Sequence, residues 1–138
     1  IYIINYLFFN MRVFFIFLFF LFMNCSSKNC GELRFDKAQK ITYLGDELYS
    51  GDCSSFFLTG ELESNRSYLK GKDHGEWTYF YINGKVHVQG EFDKGKKISE
   101  WKYFHKNGNL FKHHFYSKNG NRIGVWKEYN KDGVLIGE

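Results

Sequence analysis

Trp77, Trp101 and Trp126 stand 24 and 25 residues apart, and the sequence around them recurs with them. A fixed period of this length marks a repeat array, in which each unit buries apolar surface only against its neighbours. Six and seven residues after each Trp come Asn83-Gly84, Asn107-Gly108 and Asp132-Gly133. These dipeptides favour a type I′ hairpin turn, whose two central residues both take positive φ. Each Trp is therefore expected to open a short strand that ends in a tight turn. Fifteen residues beyond Trp77 and Trp101 stand Phe92 and Tyr116. They lead through Lys94-Gly95-Lys96 and Lys118-Asn119-Gly120-Asn121 into the next unit, and the extra residue of the last spacing falls after Tyr116.

One period before Trp77 lies Cys53, with Gly51 two residues before it, Thr59-Gly60 six and seven after it and Tyr68 fifteen after it. A fourth unit is present, with Cys in the Trp position. In the other units the residue two before Trp is Gly75, Ser99 or Gly124, so Ser99 is the departure. The expected fold is all-β: an elongated single-layer antiparallel sheet of four tandem β-hairpin repeats over residues 51–138. Composition agrees, because Pro is absent, Ala38 is the only alanine, and 16 Phe and 10 Tyr favour strand over helix. The turn glycines Gly60, Gly84, Gly108 and Gly133 and the aromatics Phe56, Phe80, Phe104 and Tyr129 complete the candidate repeat core. That aromatic column has the opposite strand parity to the Trp column. Either a bulge next to Trp restores one face, or both faces of a single layer are half covered. We expect the second, with Lys102, Lys106, Lys127 and Lys131 laying their stems along the Phe56, Phe80, Phe104 and Tyr129 column.

The N-terminal segment reads differently. Val13 to Met23 is an unbroken apolar run behind Met11-Arg12, the form of a secretory signal and too short to cross a hydrocarbon core of about 30 Å. Residues 1–24 are read as the signal segment, with 1–10 an upstream extension, and 25–50 as a tether and N-terminal cap. Cys25 directly follows the run, and Ser26, Ser27, Lys28 and Asn29 form a short polar tether. This stretch resembles a bacterial lipoprotein signal. The resemblance implies cleavage before Cys25, lipidation of that residue and, with Ser26 next to it, a place on the periplasmic or outer face of a Gram-negative outer membrane. The alternatives are an ordinary cleaved signal with Cys25 as a leftover thiol, and an uncleaved anchor. With Cys25 used, Cys30 and Cys53 remain as an even pair, bridged in an oxidising compartment or separately buried as thiols.

Catalysis and metal binding find little support. The acids Glu61, Glu76, Glu91, Glu100 and Glu128 follow the repeat register, as solvated strand positions do. The histidines share no common repeat position, and His113 and His114, being adjacent on a strand, point to opposite faces. No Cys-x-x-Cys pair occurs. We expect no enzyme activity, no metal, no cofactor and no small-molecule substrate. The net charge of +4 comes from lysines interleaved with acids, which reads as a solvated repeat surface rather than a nucleic-acid footprint.

The stretches Gly75-Glu76-Trp77-Thr78-Tyr79-Phe80-Tyr81-Ile82-Asn83-Gly84-Lys85-Val86 and Glu100-Trp101-Lys102-Tyr103-Phe104-His105-Lys106-Asn107-Gly108-Asn109-Leu110 resemble the bacterial variant of the MORN repeat, and more closely the YwqK-type antitoxin-like family. The resemblance implies an open-ended hairpin array used for contacts with proteins or lipid, and its antitoxin label implies a partner toxin neutralised by binding. The functional expectation is an exported lipoprotein whose repeats form a protein-interaction scaffold for an unknown protein partner. The alternatives are an antitoxin or immunity protein, or a binder of membrane or cell-wall surface through its lysine-rich turns. Tyr79, Tyr81 and Tyr103 vary along the array and are the expected partner-facing residues.

Overall fold

The structure is a computed structural model and describes residues 28–138. The signal segment and the lipidation residue Cys25 lie outside the described residues. Strand β1 (Lys28–Asn29) leads into one 3-10 turn, Cys30–Glu32, followed by a small antiparallel sheet of β2 (Arg34–Asp36), β3 (Ile41–Leu44) and β4 (Glu47–Leu48). The repeat region then supplies β5 (Gly51–Phe56), β6 (Leu62–Leu69), β7 (Lys72–Asp73), β8 (Gly75–Phe80), β9 (Val86–Asp93), β10 (Lys96–Phe104), β11 (Leu110–Tyr116), β12 (Arg122–Tyr129) and β13 (Leu135–Gly137). These form one long sheet in the order β1-β5-β6-β8-β9-β10-β11-β12-β13, with β7 paired to β6. β1 lies parallel to β5, and all other pairings in this order, with that of β7 to β6, are antiparallel. The array is thus all-β, and the small sheet covers only its first end.

The Asn-Gly and Asp-Gly turns differ from the expected type I′ form. Only the glycines have positive φ (Gly60 99°, Gly84 77°, Gly108 96°, Gly133 83°), while Asn83, Asn107 and Asp132 do not. In the second unit the Gly84 amide donates to the Tyr81 carbonyl at 2.9 Å, and the Tyr81 amide donates to the Lys85 carbonyl at 2.8 Å. The other units repeat this pattern. These are three-residue loops, a type I turn closed by one left-handed glycine. The true two-residue turns with two positive φ values sit on the other side of the array, at Lys70-Gly71 (50° and 75°) and Lys94-Gly95 (48° and 84°). Between β11 and β12 that turn is replaced by the three-residue loop Lys118-Asn119-Gly120, which accounts for the 25-residue spacing.

Bulges follow the period. Just past the loops that end at Gly60, Gly84, Gly108 and Gly133 the return strand carries one extra residue: Glu63, His87, Phe111 and Ile136. A second irregularity stands before each Trp. Ile98 pairs with Glu91 and Lys102 with Gln89, so Ser99, Glu100 and Trp101 all face Gly90. Likewise Gly124, Val125 and Trp126 face His114. The backbone swings out at a residue of positive φ two before each indole, at Gly75 (70°), Ser99 (58°) or Gly124 (65°). The expectation of a layer without a bulge at Trp is corrected accordingly. The swing lays each indole over the preceding strand, where its Nε1 donates to the carbonyl of Ser67, Glu91 or Phe115 at 2.8, 3.1 and 3.3 Å.

Candidate interaction faces of the repeat array

The bulges gather the Trp column and the residues fifteen after each Trp or Cys onto one face. The rings run from Tyr49 to Tyr68 (5.8 Å between centroids), Trp77 (5.3 Å), Phe92 (4.8 Å) and Trp101 (4.9 Å). The line continues through Tyr103 and His114 to Trp126, on which His114 stacks at 3.7 Å. Edge-on and offset ring pairs of this kind contribute beyond their buried area. Trp77 and Trp101 are 7% and 3% exposed, so these indoles are spent on holding the sheet together. Burial pushes the Tyr68 phenol up to about 12 and raises Tyr79, Tyr103 and Tyr116 in the same direction.

Cations complete this face. Four residues before its indole, Lys97 sets its ammonium 3.9 Å from the Trp101 ring and donates to the Tyr103 hydroxyl at 3.1 Å. Arg122, four before Trp126, sits 3.6 Å over that ring. Contacts of this geometry stabilise by about 0.5–2 kcal/mol, depending on desolvation. Burial lowers the Lys97 pKa. Lys102 lies on the opposite face, where it pairs with Glu100 at 2.5 Å beside His113. Those two partners, Lys102 first, hold Glu100 below the usual carboxylate range.

The three tyrosines expected to face a partner have places within the sheet. Tyr79 and Tyr103 are half-buried beside Trp77 and Trp101. The Tyr81 hydroxyl donates to the Phe104 carbonyl at 2.7 Å, and one unit later His105 Nε2 meets the Tyr129 carbonyl at 2.9 Å. Beside them the Asn83 side chain donates to the Lys106 carbonyl and Asn107 to the Lys131 carbonyl. These ties recur with the period and bind neighbouring loops into a ladder along one long edge. The Asn-Gly signal therefore serves twice, in the turn and across to the next unit.

What remains open to solvent lies on the edges and on the face away from Trp. Along the laddered edge the first loop residue is Leu58, Ile82, Lys106 or Lys131, and Leu58 and Ile82 are fully and half exposed, next to Phe56 at 53%. The opposite edge carries exposed Lys70, Lys72, Lys94, Lys96 and Lys118. Cys30 and Cys53 form a disulfide that ties the cap to β5, with Cα atoms 5.1 Å apart. Among the described residues no group of three or more His, Cys, Asp or Glu is disposed to hold a metal ion, and no helix is long and apolar enough to cross a membrane.

Compared with known proteins, residues 73–94 and 99–118 match the MORN repeat variant family. The matched stretches are the Trp77 and Trp101 units, and each of the two is similar to a MORN variant repeat. No curated protein matches the chain, and no solved structure does.

Proposed function

We propose that this MORN-variant array is an exported, non-catalytic scaffold that binds a protein partner along its laddered edge and is lipid-anchored at Cys25 to a bacterial outer membrane. The observation that supports the binding edge is the pair Leu58 and Ile82, apolar residues at equivalent loop positions left in solvent beside Phe56. The ladder ties the Ile82 loop to the next unit, and preorganised apolar anchors are what interaction hot spots are made of. Export is supported by the Cys30–Cys53 bridge, because disulfides persist in oxidising compartments.

A photo-crosslinking side chain placed at Ile82 in living cells tests the edge. The expected result is one covalent adduct, lost when Leu58 and Phe56 are changed to Asp and absent when the crosslinker stands at Lys94. Adducts of equal yield from both edges would remove the edge assignment. A second reading is favoured by the five exposed lysines of the opposite edge, which suit an anionic lipid or wall-polymer surface at about 1 kcal/mol per cation near the surface. That reading predicts binding to anionic vesicles that is released at high salt.

A further inference from the structure

We propose that the cleft between the N-terminal cap and the first repeat holds a small zwitterion of the α-amino-acid class with an aromatic or branched apolar side chain. The cleft has a volume of about 330 Å³ and is bounded by Leu33 and Phe35 of the cap and by Arg66, Tyr68, Asp73 and Trp77 of the array. That volume lies at the small end of ligand sites, which run from about 300 to 1,000 Å³.

The first junction differs from those that follow. At the later ones the position four before the indole is Lys97 or Arg122, and its cation rests on the ring at 3.9 or 3.6 Å. At the first junction that position is Asp73, and the cation comes from the facing strand as Arg66, withdrawn to 5.7 Å from the Trp77 ring. The Arg66 Nε is buried without a hydrogen-bond partner. Among the described residues no ion pair joins Arg66 to Asp73. Burial raises the Asp73 pKa, and the charge of Arg66 opposes that rise, as it also opposes the rise at the Tyr68 phenol.

Two opposite charges that line one cleft without pairing are complementary to a ligand that carries both. A ligand carboxylate suits the guanidinium fork, and an ammonium suits Asp73. Phe35 at the mouth and Trp77 at the wall supply apolar faces for the side chain.

The test is calorimetric titration of the full chain, kept in a mild non-ionic detergent, with L-phenylalanine, L-leucine, 3-phenylpropionate and 2-phenylethylamine. One of the amino acids is expected to bind saturably. For phenylalanine, each half-charged analogue should bind at least about tenfold more weakly, a loss of roughly 1.4 kcal/mol. Arg66→Gln should reduce phenylalanine to the level of the amine, and Asp73→Asn to that of the acid, while Lys118→Gln on the far edge changes nothing. Circular dichroism establishes that each variant is folded. Absence of binding by both amino acids at about 10 mM, equal binding of a half-charged analogue, or folded Arg66 and Asp73 variants with unchanged affinity would each overturn the proposal. None of these outcomes bears on the laddered edge, which the crosslinking experiment tests separately.

Discussion

Two residues on opposite sides of one contact show how the array is held together. Trp101 lies over Gly90, where a Cβ would fall inside the van der Waals surface of the indole, although Gly90 itself has no positive φ. Gly90→Ala should therefore cost about 1–3 kcal/mol through overpacking, read as a lower urea midpoint. Ser99 presents the opposite case, since it occupies the left-handed region at φ 58° where Gly75 and Gly124 stand in other units. Ser99→Gly should stabilise by about 0.5–1 kcal/mol, because the left-handed backbone costs an L-residue and costs glycine nothing. An unchanged or lower midpoint would show that the Ser99 hydroxyl contact to Glu91, 3.0 Å on an exposed strand, outweighs that relief. Tyr68 sets the alkaline limit. Its phenol is held at about 12 in the fold against 10.0 for the unperturbed group, so its contribution is fully present below pH 10 and is lost as pH rises through about 12. Lys97 has the opposite sign: its lowered pKa means that the unfolded chain holds the proton longer, and stability gains slightly as pH approaches 10.5. Thermal melts of Tyr68→Phe against pH should show a shallower decline between pH 10 and 12, and an unchanged decline would place the transition on other tyrosines.

Among the elements, the cap carries the largest covalent contribution. The Cys30–Cys53 bridge spans 23 residues and closes the segment that contains the whole small sheet. In the chain-entropy picture a loop of this length stabilises by about 3.5 kcal/mol, so replacing both cysteines with Ser should lower stability by an amount of that order in a denaturant titration. A loss under about 1 kcal/mol would mean that the backbone bonds of the cap to Gly71, through Thr42 and Tyr49, suffice to hold it. The hairpins themselves were legible in the sequence as turn dipeptides, yet their type was not. A loop of three residues rather than two depends on a bulge in the return strand at His87 or Phe111, and those residues carry no common chemical type.

For the whole molecule, burial is uneven along the array. Cys30, Tyr49, Cys53, Tyr68 and Trp77 form one buried cluster at the capped end. At the far end Ile123, Val125, Leu135 and Ile136 stay exposed. In a linear array each unit is stabilised only by its neighbours, so opening is cheapest where the last neighbour is smallest. Hydrogen exchange should leave the amides of β5, β6 and β8 protected longest and release β13 first. Uniform protection along the sheet would indicate all-or-none unfolding instead.

The repeat, the four units, the all-β class and the aromatic positions were legible in the residues alone, because packing against like neighbours calls for similar residues at the same place in successive units. The period also marked Cys53 as the Trp equivalent of the first unit. The face that the indoles take was settled by the folded backbone, because a two-residue bulge before each Trp overrides simple strand alternation. The same holds for the cations. Lys97 and Arg122 are told apart from the surface lysines solely by the ring they cover, and Arg66 and Asp73 become neighbours only when β6 and β7 fold back on one another beneath the cap.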